Sequence, residues 1–144
     1  MNKHYDFECN IAQTLNLIGE KWTLLILHSV KEGYNTYKEL QEVLPGIPTN
    51  LLSQRLRFLC DNGLLTTSLY QEHPPRNKYE LTDKSDDLDD IINAIILWGD
   101  KHLEKSYKCI RHKDCEGKVH IAYICDHCGE VVTEDQLDVH GYDK

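Results

Sequence analysis

The chain has 144 residues, 40% of them hydrophobic and 28% charged, with a formal net charge of −8. This composition predicts one globular domain with at most a small appendage, and the charge argues against a broad basic surface. Residues 1 to 20 mix charged and polar side chains with scattered apolar ones, and no apolar stretch is long enough to span a bilayer. We therefore expect a cytoplasmic protein without a signal peptide or membrane segment.

Two helices are predicted at the start of the chain. Apolar residues recur at helical spacing in residues 10 to 18, and Asn10 is the expected N-cap. The next helix runs from about Trp22 to Val30 and ends at Gly33. It is apolar nearly all round, which predicts a helix buried in the centre of the domain.

A helix-turn-helix pattern follows. Thr36 and Glu39 form a capping box at the start of a third helix, and Pro45-Gly46 predicts the turn after it. The fourth helix is expected from Pro48 or Thr49 to Cys60, stopping at Asn62-Gly63.

The fourth helix has two distinct faces. One carries Leu52, Leu56, Leu59 and Cys60, and the other carries Thr49, Asn50, Ser53, Gln54 and Arg57. A solvent-exposed helix in an acidic protein usually shows Glu and Lys, whereas these side chains suit base edges and phosphates. A polar surface helix is the alternative interpretation. We predict a DNA-recognition helix and assign seven side chains to DNA contact in this region: Thr36, Thr49, Asn50, Ser53, Gln54, Arg55 and Arg57.

Strand-forming residues in 64–70 and 78–82, with turn residues 73–77 between them, predict a hairpin wing. Arg76 is expected at its tip, suited to a minor groove, and Lys78 is expected on a phosphate. An exposed arginine that only aids solubility is the alternative. Residues 47–80 contain four basic and three acidic groups, a balance of +1, so binding should depend on a few placed contacts.

A further helix is predicted over residues 85–105, with Ser85 as its cap and four Asp residues in its first turn. Its apolar surface is wider than one small domain covers, so we expect a homodimer formed through this helix and the first one. Such a dimer would place two recognition helices about one DNA turn apart.

The last part of the chain is rich in cysteine and histidine. His112-x-x-Cys115 and Cys125-x-x-Cys128 are each followed closely by Gly, which predicts a small zinc-ribbon-like tail with a closed structural Zn²⁺ site. The alternatives are Cys109 in place of His112, a redox pair at 125 and 128, or unliganded thiols. The expected domains are residues 1–105 and 106–144, in a mainly α fold with a small β wing.

Several segments together resemble the HxlR family of winged helix-turn-helix regulators. They are Cys9, residues 17–27, residues 44–56, Pro74-Pro75-Arg76, residues 79–82 and Trp98-Gly99. The resemblance implies a dimer on operator DNA, with the fourth helix in the major groove and no catalytic activity. Ser85 stands where the family usually has glycine. Cys9 matches a position where several members carry a redox-sensing cysteine, with a small buried thiol as the alternative.

We therefore predict a homodimeric winged-helix transcriptional regulator, a repressor that blocks its promoter and responds to an oxidant or a small molecule. The first alternative is a protein-interaction adaptor that uses the zinc-ribbon-like tail. A zinc hydrolase ranks third, because four thiol and imidazole ligands leave no open position for catalysis.

Overall fold

The computed structural model describes residues 4–141, which form two compact units, one extending to Ile92 and the other beginning at Asn93. The boundary falls within a helix, so that helix belongs partly to each unit. The elements in chain order are α1 (Asn10–Ile18), α2 (Thr23–Lys31), α3 (Tyr37–Val43), α4 (Thr49–Asp61), β1 (Leu65–Gln71), β2 (Arg76–Leu81), α5 (Asp83–Asp86), α6 (Asp89–His102), β3 (Tyr123–Ile124), β4 (Val131–Val132) and a 3₁₀ turn (Glu134–Gln136). The mainly helical fold with a small antiparallel sheet confirms the predicted winged helix.

The core of the first unit lies where α2, α3, α4 and the start of β1 meet. Ile26, Leu40, Leu52 and Leu59 are fully buried there, and Leu65 of β1 is 1% exposed. Burial of this many large aliphatic side chains is the main force holding the three helices and the hairpin together. It fixes the orientation of α4, whose opposite face remains in solvent.

Two details of the first helices differ from the prediction. Cys9, and not Asn10, occupies the N-cap of α1, and its side chain makes no capping hydrogen bond. In α2, Ile26 and Leu27 are buried but Leu25 is 52% exposed, so the expected burial all round was wrong. The apolar residue at position 25 therefore lies on the surface of the unit.

The predicted single helix over residues 85–105 was also wrong. Thr82 caps the short helix α5 in a capping box, in which the Ser85 amide donates to Thr82 Oγ1 at 3.3 Å and the Thr82 amide donates to Ser85 Oγ at 2.9 Å. Ser85 is thus the third residue of α5 and is buried, and the longer helix α6 starts at Asp89. The Asp-rich stretch misled the prediction because it suits the first turn of either helix.

In the second unit, β3 and β4 form a short antiparallel hairpin with Tyr123 opposite Val132. Arg111 and Lys118 form an additional antiparallel bridge. Among residues 4–141, no helix has the length and apolar character needed to cross a bilayer.

Candidate nucleic-acid interface

Helix α4 presents the two faces that its sequence predicts. Leu52, Leu56 and Leu59 are at most 1% exposed and anchor one side of the helix in the core. The opposite side is exposed at all five residues predicted to read DNA: Thr49, Asn50, Ser53, Gln54 and Arg57. This side therefore offers amide, hydroxyl and guanidinium groups to a partner, with no acidic side chain among them.

The N-terminus of α4 is held by α3. The Tyr37 hydroxyl donates to the Thr49 carbonyl oxygen at 2.9 Å, and Ile47 in the connecting turn is 7% exposed. Gly46 has a φ of +89°, a conformation that glycine adopts without strain, which lets the turn bring α4 back against α3. The first turn of α4 is thus held in place by contacts within the protein itself.

The predicted capping box on α3 is present. The Glu39 amide donates to Thr36 Oγ1 at 3.3 Å, while the amides of Asn35 and Thr36 both donate to Glu39 Oε2 at 3.0 Å. Hydrogen bonds from the backbone of Thr36 and then Asn35 lower the pKa of the Glu39 carboxyl below its usual 4.5. Thr36, predicted to contact DNA, is half-buried and has its side chain engaged in this cap.

The wing is attached to the same region. Strands β1 and β2 pair from Leu65 opposite Leu81 to Gln71 opposite Arg76, with an irregularity after Leu69. The Tyr79 amide donates to the Asn35 carbonyl oxygen at 2.8 Å, and Thr36 bridges Lys78. Arg76 and Lys78 are exposed, and Arg76 lies directly after the turn, close to its predicted place at the tip.

A cavity of about 360 Å³ opens between α3, α4 and the wing, and it is lined by Ser53, Arg57, Tyr37, Thr67 and Tyr79 together with Leu56 and Cys60. Thr67 is a polar residue that sequence reasoning missed. Strand alternation shows which residues of β1 share a face, but it does not show that this face turns towards α4.

Cys60 and Tyr79 beside this cavity are neutral side chains of the domain interior. Burial, and secondarily Asp61, raises the pKa of the Cys60 thiol above 9.0. Burial also raises the pKa of Tyr79 above 10.0, with smaller contributions from Cys60 and Tyr37. The predicted core role of Cys60 agrees with this environment, because a reactive thiol needs a lowered pKa.

Arg55 does not join the exposed face of α4. It forms an ion pair with Glu20, and the two side chains are only 13% and 27% exposed. Its Nε atom is buried, and within the described residues it has no hydrogen-bond partner. The assignment of Arg55 to DNA contact therefore does not fit the structure: this arginine fixes α4 to the segment before α2.

With Arg55 engaged by Glu20, the basic side chains exposed in the stretch 47–80 are Arg57, Arg76 and Lys78. They lie on α4 and on the wing, the two elements that meet at the cavity. The helix-turn-helix pattern, its wing and this placement are characteristic of one group of DNA-binding proteins, and residues 17–107 match the HxlR-like helix-turn-helix family. The chain belongs to that family.

Relatives of the HxlR-like chain include a helix-turn-helix transcriptional regulator of Mycobacterium tuberculosis, Rv3095. It is 37% identical over 127 residues, covering 86% of this chain and 80% of the mycobacterial protein. The protein PA1607 has a solved structure with a TM-score of 0.76 and 27% identity, covering 95% of this chain and 97% of that one. The redox regulator HypR, solved in its oxidised form, gives a TM-score of 0.59 and 28% identity over 67% of this chain and all of HypR. The chain is accordingly a DNA-binding transcriptional regulator.

Cys9, the predicted redox residue, lies at the N-cap of α1 and is half-buried. Its carbonyl oxygen accepts the Gln13 amide at 2.9 Å, so the residue is fixed to the first turn of the helix. Its thiol therefore lies close to the positive end of α1.

The four predicted zinc ligands form two pairs. His112 Nδ1 lies 3.1 Å from Cys115 Sγ, and backbone hydrogen bonds from Cys128 and then His127 lower the pKa of the Cys125 thiol below 9.0. Among residues 4–141, no group of three or more His, Cys, Asp or Glu side chains is arranged around one metal position. The structure thus brings the ligands together two by two.

Proposed function

We propose that this regulator is a homodimeric repressor that reads operator DNA with the exposed face of α4 and with the wing. The observation that carries the proposal is the pairing of a fully buried leucine face with an exposed face of Thr49, Asn50, Ser53, Gln54 and Arg57. Asn, Gln and Arg side chains form the bidentate contacts that distinguish base pairs in the major groove. An unrelated surface helix has no physical need for this composition.

The wing would supply the second contact. Arg76 lies directly after its turn, where a long cationic side chain can enter a minor groove beside the recognition helix. The bridge between Thr36 and Lys78 keeps β2 against the start of α3. The exposed face of α4 and the wing therefore form one rigid unit, which we call the reading head. A repressor of this kind acts by occupying the promoter.

The charge of the reading head predicts weak non-specific binding. The stretch 47–80 has a balance of +1, and Arg55 is already paired with Glu20. If the three exposed cations of each head, Arg57, Arg76 and Lys78, all displace counterions from the DNA, a dimer should show a log–log salt slope of about −5. Sequence selectivity then depends on base contacts made by α4.

Dimerisation is supported by apolar side chains exposed on two helices. Ile11 and Leu15 on α1 are 72% and 41% exposed, and Ile95 and Trp98 on α6 are 52% and 62% exposed. The spacing of Ile11 and Leu15, and of Ile95 and Trp98, places each pair on one side of its helix, and an exposed apolar helix face is typical of an interaction surface. A symmetric dimer would bury them and would space two recognition helices for an operator with half-sites about 34 Å apart.

Gel-shift titrations with the chain's own promoter DNA and with random DNA of equal length test the assignment of contacts. Arg57→Ala should reduce the preference for operator over random DNA by about 1–3 kcal/mol, because a base contact is lost. Lys78→Ala should weaken binding to both DNAs equally and reduce the magnitude of the salt slope by about two, because each chain of the dimer loses one contact.

Lys38→Ala, on the exposed side of α3, is a control for a general loss of positive charge. The contact assignments are contradicted if Arg57→Ala and Lys78→Ala have the same effect on operator and random DNA. If the wild-type protein binds operator no better than random DNA, the adaptor role gains support in place of operator recognition.

Redox regulation is a second proposal, supported by one observation on this chain and one on a relative. Cys9 is half-buried at the start of α1, and HypR, which is similar over 67% of this chain, is a redox regulator. Oxidation of Cys9 at the exposed apolar helix α1 would act on the proposed dimer contact and so on the spacing of the two reading heads.

A further inference from the structure

The second unit contains two turns with the same backbone hydrogen bonds. In the first, the Glu116 amide donates to the His112 carbonyl at 2.8 Å and the His112 amide donates to the Gly117 carbonyl at 2.9 Å. In the second, the Gly129 amide donates to the Cys125 carbonyl at 2.8 Å and the Cys125 amide donates to the Glu130 carbonyl at 2.9 Å. Each turn thus repeats the other thirteen residues further along the chain.

The two turns also share an unusual backbone conformation at the equivalent position. Glu116 has a φ of +57° and Gly129 a φ of +74°. Glycine adopts this left-handed region freely, whereas a glutamate there costs about 1–2 kcal/mol. The first turn therefore holds Glu116 in the conformation that Gly129 adopts in the second turn, in spite of this cost.

In both turns the first and fourth residues carry metal-binding side chains. His112 Nδ1 and Cys115 Sγ lie 3.1 Å apart, so the imidazole and the thiol point towards the same place. A Cβ atom at Gly117 would lie 3.2 Å from Cys115 Sγ, which explains why glycine follows this turn. Cys109 lies three residues before the first turn and is exposed, outside the repeated unit.

Among the described residues of the second unit, 93 to 141, no apolar side chain is fully buried. Tyr123, Ile124 and Val131 are each more than half exposed. Short units of this kind are usually stabilised by a disulfide or a metal ion. A cross-link between the two turns would provide what hydrophobic packing does not.

We propose that the two turns are the halves of one structural zinc site, with His112 and Cys115 from the first and Cys125 and Cys128 from the second. One nitrogen and three sulfur ligands match the closed tetrahedral coordination of structural zinc. Neither pair satisfies four-coordinate zinc alone, and only nine residues separate Cys115 from Cys125. The ion would join the pairs and fix β3 and β4 against the first turn. The site goes beyond the proposed DNA-binding function and does not depend on it.

The test is the zinc content of the full-length protein, purified under reducing conditions without chelator and measured by inductively coupled plasma mass spectrometry. The wild type should contain one zinc per chain. Cys115→Ser, Cys128→Ser and His112→Ala should each lose most of it, whereas His112→Cys should retain it. Cys109→Ser and Cys60→Ser are matched controls that should retain full stoichiometry. Circular dichroism shows whether a variant that lacks zinc keeps its helices.

Three outcomes would overturn the proposal. Loss of zinc in Cys109→Ser with retention in His112→Ala would show that the ligand set is wrong. A stoichiometry that depends on protein concentration would place the two halves of a site in different chains. Wild type that contains no zinc would refute the site, and a Cys125–Cys128 disulfide that forms in this protein after removal of the reductant, detected by mass spectrometry, would identify a redox pair instead. Because the measurement does not involve DNA, its failure is distinguishable from failure of operator binding.

Discussion

Arg55 and Arg57 are two residues apart on α4 but should behave in opposite ways when each is replaced by alanine. Arg55 is paired with Glu20 and its side chain is 13% exposed, whereas Arg57 is exposed on the polar face. We expect Arg55→Ala to lower the stability of the protein. We expect Arg57→Ala to leave stability almost unchanged and to weaken operator binding.

The expected loss in Arg55→Ala follows from the burial of the pair. Breaking a fully buried ion pair costs about 3–5 kcal/mol because one charge is left without its partner, while an exposed pair is worth about 0–1 kcal/mol. Glu20 is 27% exposed, so solvent partly compensates its charge, and the loss should be about 2 kcal/mol. For an exposed arginine the change should stay within about 0.5 kcal/mol.

Urea unfolding followed by circular dichroism measures both values at one fixed protein concentration, since dimerisation would make the midpoint depend on concentration. A loss of about 2 kcal/mol should lower the midpoint by about 1 M. Glu20→Gln should give a similar loss, and the double variant should lose less than the sum of the single ones. The structural role of Arg55 is refuted if Arg55→Ala is as stable as the wild type but no longer binds operator.

Three further predictions concern pH, oxidation and assembly. The pKa of Glu39 is lowered on folding, so its stabilising effect is complete above about pH 4.5 and is lost as the pH falls through the lower folded value. The stability difference between wild type and Glu39→Gln, measured by urea unfolding at a series of pH values, should therefore shrink in acid. Diamide should weaken operator binding by the wild type and by Cys60→Ser but not by Cys9→Ser; equal loss in all three would refute sensing by Cys9. Light scattering should give twice the 16.8 kDa chain mass for the wild type and for Asn93→Asp, but a monomer for Trp98→Asp. If Trp98→Asp is still a dimer, α6 does not form the dimer interface.

The parts of the reading head that the sequence predicted are those set by local rules. The period of 3.6 residues identified both faces of α4, and the structure has the helix at Thr49–Asp61 as expected. The capping box at Thr36 and Glu39 likewise depends on residues within one turn, and it forms. These features need no knowledge of distant parts of the chain.

The predictions that failed concern features that local sequence rules do not determine. Thr82 and Ser85 form a second capping box, but the Asp residues that follow also suit a helix beginning at Ser85. The partner of Arg55 is Glu20, thirty-five positions away and in the segment between two helices, so no spacing rule indicates it. The left-handed conformation at Glu116 was equally hidden, because glycine is the residue that normally marks such a turn and it stands one position later.

The hydrogen bonds between Tyr79 and Asn35 and between Tyr37 and Thr49 have a consequence for control of the protein. The first connects the wing to the start of α3, and the second connects α3 to the start of α4. A signal would have to break these hydrogen bonds to change the shape of a single head, whereas a change in the distance between the two heads of the proposed dimer would leave them intact. If the protein is the signal-responsive homodimer proposed above, we therefore expect the signal to change which operator spacing it accepts, while each half-site is still recognised by the same side chains.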